Sequence, residues 1–282
     1  MTRQKHREGY RDERGAEPGK EWNEKRKSRR RRNRRKARIR FLASMLGTLL
    51  GAVLLVLVAY TALNLFCGFG KVNTQKLREQ GYPESLIALV ERNPETKDFV
   101  LDYPKYKGLE EIDISKEVTK GEIPHFLQWD ERWGYENYGS DFLAVTGCGP
   151  TSLSMVVCGL TGDTKWNPYE VAKMAEDNGY YVDGSGSSWE LMSSGAEKLG
   201  LTVSSVIFDA EHIRATLESG QPIICVMGPG DFTDAGHFLV LTGVDQEGDI
   251  ILQDPNSVER TKQHWDVQKL MNQMKNLWAY SC

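Results

Sequence analysis

Thr146-Gly147-Cys148-Gly149-Pro150-Thr151-Ser152-Leu153-Ser154-Met155-Val156-Val157-Cys158-Gly159 is the stretch that decides how the rest of the chain is read. An apolar run behind a Gly-Cys-Gly-Pro turn predicts a helix over 149–159. Pro150 falls in its first turn, where a missing N–H costs nothing. Cys148 then stands at a helix N-terminus, where free N–H groups and the helix dipole favour a thiolate. The flanking glycines allow tight turns and a close approach of a substrate backbone. Taken alone, the same pattern also fits a small buried cysteine beside a turn.

Downstream, Asn167 and Pro168 open a second helix as N-cap and first-turn proline, and Gly179 closes it. Ser187 and Glu190 have the spacing of a capping box for a helix ending near Gly200. Asp209 caps a further helix that Gly220 stops. Apolar strand-like runs cover 201–207, 222–227, 237–242 and 249–253, and a last helix over 266–275 precedes a strand over 277–280. Helices come first and antiparallel strands later, which is an α+β order with the helical part N-terminal.

Toward the N-terminus the chain changes character. Its 282 residues carry a net charge of -3, but residues 1–40 hold 18 Lys+Arg against 6 Asp+Glu, a net of +12 that leaves -3 - 12 = -15 for the remainder. Phe41 to Phe66 then runs 26 positions without a charge. At about 1.5 Å per residue such a helix would cross a hydrocarbon core of about 30 Å. The expectation is a single transmembrane signal anchor over 41–66. The basic tail 1–40 would stay in the cytoplasm and meet anionic lipid headgroups, and everything beyond Lys71 would lie outside. The apolar run exceeds a signal peptide's core of about 7–15 residues, and no A-x-A site follows it. The arginine run beside an apolar segment reads as topology, so no nucleic-acid partner is expected. Residues 67–121 read as a stalk or helical linker, with a short helix over 83–93; a plain spacer and a docked arm both fit. A folded domain is expected over 122–282.

Five cysteines (Cys67, Cys148, Cys158, Cys225 and Cys282) are an odd number and form no CxxC pair, which argues against a disulfide framework or a zinc ribbon. Cys158, within the apolar helix, and Cys225, in an apolar strand, read as buried small hydrophobes.

Three further positions complement Cys148. His237 opens the apolar strand Phe238-Leu239-Val240-Leu241 after a Gly-rich stretch, so it would project from the rim of a sheet. There it can serve as a general base for the thiol, or be a satisfied structural histidine. His6, His125, His212 and His264 fit that role less well. Asp254 follows the returning strand of the same hairpin and can orient the imidazole, although Asp254-Pro255-Asn256 is also a common turn. Gln128, in Phe126-Leu127-Gln128-Trp129-Asp130-Glu131-Arg132-Trp133, offers a side-chain amide.

In this order, Gln-Trp-Asp-Glu-Arg-Trp, Gly-Cys-Gly-Pro-Thr-Ser, Gly-His-Phe-Leu-Val-Leu-Thr-Gly-Val and Asp-Pro-Asn, the residues from 122 onward resemble the peptidase C39-like family. The resemblance implies a papain-like cysteine peptidase fold, with a helical part carrying the cysteine and an antiparallel sheet carrying histidine and aspartate. It implies Cys148 as nucleophile, His237 as base, Asp254 as orienting residue and Gln128 as oxyanion donor, acting on a peptide or protein substrate. No metal or cofactor is implied. Members fused to transporters trim leader peptides, but this chain has no Walker motif, and that specificity is not carried over. Two other readings share the pattern: a cell-wall peptide amidase or transpeptidase, and a peptide-binding module without catalysis.

Overall fold

The structure is a computed structural model that describes residues 18–69 and 72–282. The chain divides into two compact units, Met1–Lys71 and Val72–Cys282. Residues 1–17 of the basic tail, His6 among them, lie outside the described residues, as does the side chain of Cys67.

The first unit holds helix α1 (Pro18–Phe69), 52 residues long, in which the arginine-rich and apolar stretches are one continuous element. This corrects the expectation of a transmembrane helix over 41–66. A span needs about 20 consecutive apolar residues, and among the described residues no helix is long and apolar enough to cross a membrane.

The second unit begins with three short helices, α2 (Thr74–Glu79), α3 (Glu84–Arg92) and α4 (Lys97–Asp102). Asn73 caps α2 by accepting from the Lys76 N–H at 3.1 Å. The helix expected over 83–93 is present as α3. It buries Leu86, Ile87, Leu89 and Val90 against Phe99, Val100, Tyr135 and Ala144, each contributing about 1.5–3 kcal/mol when fully buried. The Tyr135 ring stacks on Phe99 at 4.1 Å, and its hydroxyl donates to the Phe99 carbonyl at 2.6 Å. Of the two readings of this segment, spacer or docked arm, the structure has the docked arm.

A small hairpin of β1 (Asn137–Tyr138) and β2 (Asp141–Phe142) leads through α5 (Leu143–Thr146) into α6 (Cys148–Thr161). Helix α6 is buried on nearly every side, as its uninterrupted apolar and small residues require. Helix α7 (Pro168–Asp177) packs beside it, capped by Asn167 as the sequence predicts.

The capping box at Ser187 does not form. Ser187 belongs instead to β4 (Gly186–Ser187), paired with β3 (Tyr181–Val182), and its hydroxyl hydrogen-bonds Tyr138 Oη at 2.8 Å. The helix expected there is reduced to a 3₁₀ turn, Trp189–Met192, and the short α8 (Ser194–Lys198).

The main sheet contains β5 (Thr202–Ser205), β6 (Ile223–Met227), β7 (His237–Val244), β8 (Ile250–Gln253) and β9 (Met274–Ser281), in the order β5-β9-β6-β7-β8. Every pairing is antiparallel. The period of two is plain on the central strands: Ile224, Val226, Phe238 and Val240 face the core around α6, and Ile223, Cys225, Leu239 and Leu241 face the other. Helix α9 (Ala210–Glu218), capped by Asp209, covers that second face through Ile213 and Leu217. Between β8 and β9 lie α10 (Val258–Thr261) and α11 (Val267–Met271). The α+β class with the helical part first and the antiparallel sheet last is therefore the observed architecture.

Candidate active site

Cys148 is the first residue of α6 and is half-buried. The glycines beside it have a steric reason that differs from the expected one. Gly147 has φ -88°, an ordinary value, and neither glycine has a positive φ. A Cβ on Gly147 would lie 2.4 Å from the Leu143 carbonyl oxygen, and one on Gly149 would lie 2.4 Å from Ser187 Oγ. The glycines therefore let α5 and β4 close around the helix start.

His237 opens β7, in register with Met227 of β6, and is buried. The β7–β8 hairpin pairs Val240 with Gln253, which returns Asp254 to the same end of the sheet. His237 Nε2 lies 2.7 Å from Asp254 Oδ1. With that nitrogen engaged, Nδ1 is the one left to face Cys148, which lines the same cleft as His237. The structure thus brings Cys148, His237 and Asp254 together from three separate segments, with the imidazole hydrogen-bonded to the carboxylate.

The electrostatics follow from burial working against pairing. Burial pushes the Cys148 thiol up, but the hydrogen bond and charge of His237, with the N–H groups of Phe238 and Gly149, hold it below its ordinary value. Burial pushes His237 down; the Asp254 carboxylate and the hydrogen bonds of Asp254 and Cys148 outweigh it and raise the imidazole to about 9. Asp254 is fully buried, which would favour its neutral form. The charges and hydrogen bonds of His237 and Arg260 instead keep it below the usual carboxylate range. These shifts all act in one direction, toward a thiolate, an imidazolium and a carboxylate.

Gln128 is buried, and its Nε2 donates to the Ala144 carbonyl at 2.7 Å. That carbonyl fixes which end of the amide is nitrogen, and Oε1 is left buried without a partner. The Gln128 backbone N–H donates to the Pro255 carbonyl at 2.7 Å, tying it to the loop that follows Asp254. Gln128, Cys148 and His237 line one cleft of about 320 Å³. Its walls come from the loop around Phe232 on one side and from Leu89, Arg92 and Asn93 of the arm on another.

Four residues that support this site carry no local signal in the sequence. Arg260 donates through Nε to Asp254 Oδ2. His125 Nε2 donates to the Asp254 carbonyl at 2.7 Å and lies 3.1 Å from Thr261 Oγ1; burial lowers its pKa, which favours the neutral ring. Asn93 and Glu95, from the arm, bond the loop after Asp254. His212 and His264 pair with Asp209 and Asp245 on the exposed surface, away from these contacts. Cys158 and Cys225 are buried, and burial raises both thiols well above the ordinary value.

No curated protein matches the chain. Among solved structures, the crystal structure of a Bacillus anthracis protein carrying the name "putative C39-like peptidase" is 18% identical, with a TM-score of 0.34 over 58% of this chain and 97% of that one. At that score the likeness carries no argument of its own. The family model does: that of the Peptidase_C39 like family matches residues 120–281, more than half of the chain and all of the segments bearing Gln128, Cys148, His237 and Asp254, so the chain belongs to that family.

Proposed function

We propose that this chain is a cysteine peptidase that hydrolyses peptide bonds with Cys148 as nucleophile, His237 as acid and base, Asp254 as orienting residue and Gln128 as oxyanion donor. The observation that carries the reading is the Cys148–His237–Asp254 series, with the imidazole raised and the thiol lowered. The Cys148 sulfur attacks the amide carbonyl carbon, forming a C–S bond while the carbonyl oxygen takes the negative charge. A second N–H of the Gln128 amide and the backbone N–H at the start of α6 receive that oxyanion. His237 gives its Nδ1 proton to the leaving nitrogen as the C–N bond breaks. Water then attacks the thioester, His237 takes a proton back, and the C–S bond breaks to release the acid. Asp254 keeps its hydrogen bond to Nε2 throughout, which fixes the tautomer and favours the imidazolium. A peptide-binding module without catalysis would need none of these shifts and would carry an ordinary thiol.

The test is hydrolysis of a diverse peptide mixture by the full chain, followed by mass spectrometry, beside Cys148→Ala and His237→Ala. New termini produced by the wild type and absent from both variants are expected. Cleavage that survives Cys148→Ala, or no cleavage while a bound peptide is retained, would defeat the proposal.

A further inference from the structure

The arm that precedes the family-matched residues is linked to both carboxylate oxygens of Asp254, each through one intermediate group. Oδ1, the oxygen that His237 uses, also accepts from the Asn256 N–H at 2.8 Å. Asn256 is held in turn by Asn93, whose Nδ2 donates to its carbonyl at 2.6 Å and to its side-chain oxygen at 3.1 Å. Oδ2 accepts from Arg260, on α10. The first turn of α10 is held by Glu95: one carboxylate oxygen accepts from Val258 N–H at 2.8 Å and Glu259 N–H at 3.2 Å, and the other from Ser257 Oγ. Ser257 Oγ also accepts from Arg260 N–H at 3.0 Å. A carboxylate from a segment 163 residues away thus fills the N-terminal donors that a four-residue helix could not satisfy alone.

Resting on the cysteine-peptidase reading, we propose that Glu95 is a positioning residue of the active site, with Asn93 as its companion. Glu95 fixes the turn that aims Arg260 at Asp254, Asn93 fixes Asn256, and the two together determine how Asp254 meets His237. Neither touches the reacting atoms. Both act through Asp254, so the arm is a working part of the catalytic apparatus although it lies outside residues 120–281. The same arm lines the cleft through Leu89 and Arg92, and its docking on Tyr135 and Ala144 makes it a fixed reference for the loop.

The experiment is a double-mutant cycle on the full chain, read by the rate of iodoacetamide labelling at Cys148 across pH 5–10. The proteins are the wild type, Glu95→Ala, Asp254→Asn and the double variant, with Glu95→Gln as a milder change that keeps one acceptor. Misplacing a group that orients catalysis by about 1 Å can cost on the order of 100-fold. Glu95→Ala is therefore expected to slow labelling at pH 7 by about 10-fold or more, and Glu95→Gln to recover part of the loss. In the Asp254→Asn background, Glu95→Ala should cost little more, because its effect passes through Asp254. An equal loss in both backgrounds, or a rate unchanged by Glu95→Ala while Asp254→Asn is slow, would overturn the positioning role. A wild type no faster than an ordinary thiol would instead overturn the cysteine-peptidase reading, and the positioning role with it.

Discussion

Arg260 holds the Asp254 carboxylate on the oxygen opposite the one that His237 uses. Asp254 is fully buried, while the guanidinium is about a quarter exposed, at 24%. Removing one partner of such a pair leaves a buried carboxylate oxygen without its cation, which costs about 3–5 kcal/mol for fully buried pairs. With the exposure here, Arg260→Met is expected to lose about 2–3 kcal/mol and about 5–10 °C in melting temperature. Arg260→Lys should recover little, since an ammonium on a flexible stem does not reproduce the Nε geometry. Differential scanning calorimetry of the three proteins checks this, and a melting temperature unmoved by Arg260→Met would refute it.

The pH profile follows from the two shifted groups. The reactive form needs Cys148 deprotonated and His237 protonated. Activity should rise as pH climbs through the lowered thiol value and fall as pH passes about 9, where His237 loses its proton. The expected kcat/KM curve is a bell whose acid limb lies below the ordinary cysteine value and whose alkaline limb lies near 9. An alkaline limb at the ordinary histidine value of about 6.5, or a rate that only rises through pH 9, would contradict the paired state.

In the proposed mechanism Gln128→Ala removes a donor to charge that develops only in the transition state. Loss of one such donor costs on the order of 100-fold to 1000-fold in kcat, with KM little changed. Its bond to the Ala144 carbonyl is a second, structural duty, worth about 1 kcal/mol, so the variant should stay folded at 25 °C. Steady-state kinetics with circular dichroism on the same sample separates the two effects; a loss confined to KM would exclude the oxyanion role.

Gly149→Ala is expected to destabilise the fold as well as the site, because the added Cβ would meet Ser187 Oγ at 2.4 Å and its Cβ at 2.8 Å. Overpacking of this kind costs about 1–3 kcal/mol. Ser187→Gly vacates that space, so the double variant should regain part of the loss, less the Tyr138–Ser187 hydrogen bond. Urea unfolding of the single and double variants measures the coupling, and purely additive losses would show that the contact is relieved elsewhere.

The legible parts of this molecule are those fixed by near neighbours in sequence. The strand alternation from Ile223 to Leu241, the Asn167 cap and the apolar run after Cys148 depend on residues a few positions apart, and the sheet and α6 follow from them. Ser187 shows where local reading stops: its spacing to Glu190 fits a cap, but Tyr138, 49 residues earlier, takes its hydroxyl. Arg260 sits only six residues from Asp254, yet its contact depends on the turn that Glu95 holds, and nothing local marks it. His125 likewise bonds Asp254 across 129 positions. The uncharged run over 41–66 has the opposite character: its local hydropathy predicts a separate span, whereas the helix continues the basic one before it and, among the described residues, none is apolar enough to cross a membrane.

The ties from Asn93 and Glu95 to the loop 256–259 also carry a consequence for when the site becomes competent. Closing a loop of that length is slow compared with forming local helices or the β7–β8 hairpin, because the chain must find a partner more than half its length away. In synthesis Glu95 precedes Val258 by 163 residues, so the arm and Cys148 both emerge before the loop that anchors Asp254. In the proposed mechanism the thiol therefore gains its full reactivity only once that loop has met the arm, and the order of synthesis holds premature reactivity in check.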